Sequence, residues 1–172
     1  MASLLENLVD ILDRECVQYE RLITLADQKT PCIVQGDIER LSKVMEDEQE
    51  IVGTIQNLEK KRCKVLADVA NVVNRDVETL KLIDLIQMLE RKPDQQQLLV
   101  EVHGRLKQTI SKLKEINDKN QLLLNDAIEM VEFNLNMIRA MKTAPQTANY
   151  NKKAYSNGNV LGIFHGGFDA KQ

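Results

Sequence analysis

Residues 95–141 read QQQLLVEVHGRLKQTISKLKEINDKNQLLLNDAIEMVEFNLNMIRAM, and this stretch decides the fold. Its stripe is Leu99, Val102, Leu106, Ile110, Leu113, Ile116, Asn120, Leu123, Ala127, Met130, Asn134, Ile138 and Met141. Steps of three and four residues hold one helical face apolar, with the two asparagines as polar interruptions. No proline breaks the run, and Gly104 weakens it by only ~1 kcal/mol relative to Ala. At 1.5 Å per residue the helix is roughly 70 Å long. Helices in proteins draw most of their stability from packing an apolar face, so this one requires neighbours.

The rest of the chain supplies them. Ser3 and Glu6 have capping-box spacing, and Leu5, Leu8, Leu12, Cys16, Tyr19, Ile23 and Ala26 follow at helical steps until the pattern stops near Thr30 and Pro31. A second helix opens after Gly36 with Asp37 as N-cap. Its stripe runs Ile38, Leu41, Met45, Ile51 (or Val52), Ile55, Leu58, Val65 and Val69, interrupted by Glu48 and Arg62. Those two charges are expected at the stripe's edge, their stems covering apolar surface and their heads in water. Asn74 is a stop signal. Asp76 is placed to cap a short third helix carrying Val77, Leu80, Ile83, Ile86 (or Leu85) and Leu89. Pro93 closes that segment, and Asp94 with Gln97 repeats the capping-box spacing. The three prolines, Pro31, Pro93 and Pro145, mark the seams. The fold class is all-α: an elongated antiparallel helical bundle with long coiled-coil-like helices and an irregular C-terminal tail. The expected division is a bundle over 1–142 and a flexible tail over 143–172 with four of the six aromatics: Tyr150, Tyr155, Phe164 and Phe168.

Composition narrows the function. Only 3% of the 172 residues are aromatic and none is Trp, so the core is aliphatic. The net charge is −3. From Thr143 onward Lys152, Lys153 and Lys171 face Asp169, giving +2 there and −5 on the body. That balance argues against nucleic acid, which needs clustered cations. Lys60, Lys61, Arg62 and Lys64 are read as a solvated helix face. No stretch approaches the ~20 apolar residues of a membrane span, and the first residues lack the pattern of a signal peptide. Cys16, Cys32 and Cys63 have no metal-ligand spacing and are read as inert thiols in a reducing cytoplasm. His103 lacks a Glu three residues before it, since Val100 stands there, so the bundle-metal motif fails. His165 is read as solvated. No catalytic residue, metal or cofactor is expected, and no enzyme.

Binding is the remaining chemistry. Residues 122–141 are apolar on more than one side, with three of the six methionines. Such a segment is either the middle of a bundle or a groove for an amphipathic client helix; Met-rich faces accept varied sequences. Asn120 and Asn134, on the stripe, either fix register inside the bundle or pin a client. The tail aromatics are either interface anchors or incidental to a disordered strip.

Two runs carry a resemblance. Leu41, Val44, Glu48, Ile51, Val52, Ile55, Leu58, Glu59 and Arg62 resemble the second-helix pattern of the FlgN-like flagellar export chaperones. Leu113, Ile116, Asn117, Asn120, Leu123 and Leu124 look like the Asn-x-x-Asn segment of that family's last helix. Tyr150 after Thr147, with Gly158 further on, is a looser match to the family's Thr-Tyr-Gly-like step, and Ala154 stands near the place of its usual close-following Gly. The likeness covers roughly residues 4–158. It implies a bacterial cytoplasmic chaperone that binds the C-terminal segments of hook–filament junction proteins, prevents early assembly and brings them to the flagellar type III export gate. It implies client binding by Leu113, Ile116, Asn117, Asn120, Leu123, Leu124 and Ala127, and gate docking by Tyr150 or Tyr155. A monomer or small homo-oligomer is expected. The competing expectation is a self-associating coiled-coil scaffold; a helical signalling adaptor is a third.

Overall fold

The computed structural model describes residues 2–76 and 80–143. Among them are four helices and no strand: α1 (Ala2–Gln35), α2 (Ile38–Val72), α3 (Leu82–Met88) and α4 (Pro93–Thr143). The chain is all-α, as the periodicity requires. It divides into two compact units, Met1–Phe133 and Asn134–Gln172.

Within the first unit, side-chain contacts fix the helix directions. Glu15 meets Arg62 and Lys29 meets Glu48, so α2 runs antiparallel to α1. Cys16 lies against the Val102 carbonyl and Asn120 against that of Ala26, so α4 runs parallel to α1. The three long helices are thus arranged up, down and up. One aliphatic cluster holds Leu5, Leu8, Ile11, Leu12 and Cys16 of α1, Leu58, Val65 and Val69 of α2, Leu85 and Leu89 around α3, and Leu99, Val102 and Leu106 of α4. Further along α1 a smaller cluster joins Leu22, Ala26, Ile51, Ile55 and Leu113.

The helix ends follow local chemistry. Gly36 takes a left-handed φ of +68°. Asp37 N–H donates to the Cys32 carbonyl at 2.9 Å and Gly36 N–H to that of Ile33 at 3.2 Å, a Schellman closure of α1. The Asp37 carboxylate then accepts from Arg40 N–H at 3.0 Å, the expected N-cap of α2. Asn74, with φ of +53°, ends α2 in the same way: Arg75 N–H donates to Ala70 and Asn74 N–H to Asn71.

Four boundaries differ from expectation. The first helix does not stop at Pro31 but continues to Gln35. Proline removes one helical donor, but Cys32 and Ile33 just beyond it are buried, which rewards continuation. That helix also begins at Ala2, so Ser3 lies inside the first turn. The third helix starts at Leu82 rather than after Asp76; Asp84 accepts from Lys81 N–H at 2.9 Å and closes its first turn. Val77 lies outside the described residues. The fourth starts at Pro93, where a missing donor is harmless, and the Gln97 amide bonds Glu101 instead of capping.

The stripe charges are not merely at the edge. Glu48 pairs with Lys29 at 2.7 Å, both largely covered. Arg62 reaches Glu15, which is 3% exposed, at 3.1 Å and also touches Glu59. Burial pushes the Glu15 carboxyl above the ordinary glutamate range, and the Arg62 guanidinium offsets part of that rise. Cys16 and Cys32 are buried and Cys63 is exposed; all three are free. Burial also raises the Cys16 thiol, which suits an inert core thiol.

In the second unit the described residues, 134–143, are the last turns of α4. Leu135, Met137, Ile138 and Met141 are all exposed there. The stretch from residue 144, including Tyr150 and Tyr155, lies outside the described residues.

Candidate partner-binding groove

The α4 stripe changes character along its length. Leu99, Val102, Leu106 and Leu113 are buried, and Thr109 rather than Ile110 faces inward. Beyond Asn120 the large apolar side chains open to solvent: Leu122, Leu124, Ile128, Met130, Val131 and Phe133 are 40% to 67% exposed. A helix that is apolar all round normally sits inside a larger core.

The same opening occurs on the facing helices. On α2, Ile38 is 77% and Met45 50% exposed, whereas Ile51, Ile55 and Leu58 further along are buried. Two adjoining hollows lie between these segments and share Ile33, Leu41 and Leu124. The first, about 420 Å³, is lined by Leu22, Met45, Val52, Leu113, Asn117 and Asn120 as well, with the paired Lys29 and Glu48 at its wall. The second, about 410 Å³, adds Ile38, Ala127, Ile128, Val131 and Glu132. Together they form a mostly apolar groove walled by the end of α1, the start of α2 and the middle of α4.

Asn120 anchors this groove. It is 5% exposed. Its amide nitrogen donates to the Ala26 carbonyl at 2.7 Å, and its oxygen accepts from Thr30 Oγ1 at 2.7 Å. Both halves of the amide are therefore satisfied within the chain. Slippage of α4 by one residue would leave these buried groups unpaired, so Asn120 locks the register of the α4 wall. Asn117, one turn earlier, is exposed and lines the groove.

The residues expected to bind a client are placed as follows. Leu113, Asn117, Asn120, Leu124 and Ala127 line the groove, though Leu113 and Asn120 are buried. Ile116 is half-buried against the smaller cluster, and Leu123 is half-buried and lines neither hollow. Asn134 is exposed. The opposing wall is Ile33 of α1 with Ile38, Leu41 and Met45 of the α2 stripe. Its sequence signals are the α2 stripe, which begins at Ile38 directly after the Gly36 turn, and the place of Leu41 in the family-like run.

Nothing in the groove resembles a reacting constellation. Among the described residues, no three His, Cys, Asp or Glu side chains are grouped to hold a metal. No helix among them is long and apolar enough to cross a membrane. The groove's chemistry is apolar contact bounded by a few polar groups.

The sequence model of the FlgN protein family matches residues 1–158. The chain belongs to the FlgN family. The match spans all four helices, and it makes this a chaperone-class protein of flagellum biogenesis whose family binds flagellar proteins. Among curated proteins it is similar to the uncharacterized protein YvyG of Bacillus subtilis (strain 168). The two are 24% identical over 144 residues, 84% of this chain and 83% of that protein. No solved structure matches. In this FlgN-family chain the Asn117-x-x-Asn120 pair thus divides into an outward and an inward member, one on the groove surface and one holding the wall.

Proposed function

We propose that this FlgN-family protein is a bacterial cytoplasmic type III export chaperone. It binds the C-terminal helical segments of hook–filament junction proteins, prevents their premature assembly and delivers them to the export gate. The observation that carries this reading is the open apolar groove, walled by Ile33, Leu41, Met45, Leu124 and Ile128. A client helix that laid its apolar face there would cover the surface that α1, α2 and α4 leave in water. Asn117, Leu124 and Ala127 touch the client, Leu113 and Asn120 hold the wall, and Ile116 and Leu123 shape its flank. The stretch 143–172 serves as the gate-docking tail, through Tyr150 or Tyr155. Masking is stoichiometric and needs no cofactor.

Calorimetry with a purified junction-protein C-terminal segment tests the reading. Binding in the micromolar range is expected. Leu124→Asp, at a position already 40% exposed, should weaken it at least about tenfold through a buried unpaired charge while helicity is kept. Absence of binding at tens of micromolar would reject the reading. Self-association through the α4 face that carries Leu122, Met130 and Phe133 is the alternative. A stable higher oligomer of the free protein in light scattering would favour it.

A further inference from the structure

The groove has a charge pattern as well as an apolar lining. From residue 120 to 133, α4 carries Asp126, Glu129 and Glu132 and no Lys, Arg or His. All three carboxylates are exposed, and none takes part in an ion pair among the described residues. At 100° per residue, Leu124, Ala127, Ile128 and Val131 share the groove-facing side. Glu132 borders that side and lines the hollow itself, and Glu129 lies about 60° further round the same flank. Lys29 and Glu48 neutralise each other at 2.7 Å, whereas Asp37, which also lines the second hollow, keeps its negative charge while its carboxylate caps α2. Lower on the α4 flank, Lys114 is offset by Asp118 four residues on. The unbalanced charge along the groove is negative, and its α4 share lies on one edge, that of Glu129 and Glu132.

The geometry also limits the occupant's form. The walls are helices whose backbone groups are bonded internally, so an extended strand finds no edge to pair with. The α4 wall runs from Leu113 to Val131, about 27 Å at 1.5 Å per residue. Resting on the client-binding reading above, we propose that the occupant is an amphipathic helix of about 18 residues, with Lys and Arg flanking its apolar stripe. It is seated with that basic flank along the Glu129 and Glu132 edge of α4.

The probe is a pair of synthetic 18-residue amphipathic peptides with the same apolar face, one flanked by Lys and Arg, its twin by Glu. Each is titrated into the full chain by fluorescence anisotropy, at low and at high salt. The basic peptide should bind about tenfold tighter at low salt, and high salt should shrink that margin. The double variant Glu129→Lys/Glu132→Lys should reverse the preference. Both positions are exposed, so the variant should keep its helicity in circular dichroism. Equal binding of the twins, or a preference for the acidic one, overturns the charge assignment and leaves the groove reading standing. Failure of both peptides to bind overturns the two together, as does binding that Leu124→Asp leaves unchanged.

Discussion

The two ends of the first unit are built from the same three long helices and finished differently. At one end α3 lies against α1, α2 and α4, and Leu8, Leu12, Val69, Leu85 and Leu99 are almost fully removed from water. At the other end no described element takes the place of α3, and Ile38, Met45, Leu122, Ile128, Val131 and Phe133 face solvent. Apolar composition is similar at both ends. What differs is whether a fourth segment from the same chain covers it. Stability is concentrated at the closed end, which leaves the open end as surface for a partner.

The sharpest way to break this contrast is to truncate one side chain at each end. Leu8→Ala at the closed end should destabilise by about 3 kcal/mol, through lost burial and the cavity left behind. Phe133→Ala, at a side chain 62% exposed, should stay within about 0.5 kcal/mol of wild type. Chemical denaturation measures both. Similar losses at the two positions would mean that the open end is part of the stabilising core.

Asn120 sits between the ends and sharpens the boundary. Asn120→Ala removes two internal hydrogen bonds and leaves Thr30 and the Ala26 carbonyl short of a partner. It should destabilise by about 2 kcal/mol and also weaken client binding, because the α4 wall loses its register lock. A variant that lost affinity at full stability would instead place Asn120 in direct contact with the client.

Much of this fold was legible in the chain, and the reason is local. The Gly36–Asp37 turn, the Asn74 stop and the long α4 period are all set by neighbours within a few residues. The continuation of α1 through Pro31 was not legible, because the burial of Cys32 and Ile33 depends on what lies opposite them. The partners of Glu48 and Arg62 were hidden for the same cause. Lys29 and Glu15 sit on another helix, and the register between helices is not written in either period. The site was half legible. Periodicity marked Asn120 as anomalous and Ala127 as apolar, but its stripe ran through Leu123 and Met130, whereas the groove side carries Leu124, Ile128 and Val131. It gave no sign that Ile38 and Met45 would lie uncovered, because a stripe shows which face is apolar and not whether a neighbour covers it.

The smallest expected effect concerns pH at the closed side of the contrast. Burial raises the folded-state pKa of Glu15 above its unfolded value. The neutral carboxyl is therefore favoured by folding. Its contribution is fully present below the ordinary glutamate value and is lost as pH rises through the folded pKa. Glu15→Gln should remove that slope, so thermal midpoints of wild type and variant should diverge as pH is raised from about 4 towards neutrality. Parallel curves would mean that the Arg62 pairing cancels the cost of burial.

Hydrogen exchange with and without a saturating junction-protein C-terminal segment tests most directly whether the open end is where the partner binds. Amides of residues 120–133 on α4 and 38–45 on α2 should slow markedly on binding, while those around Leu99 to Leu106 should hardly change. Full binding with no added protection at the open end, or protection confined to the closed end, would contradict the account.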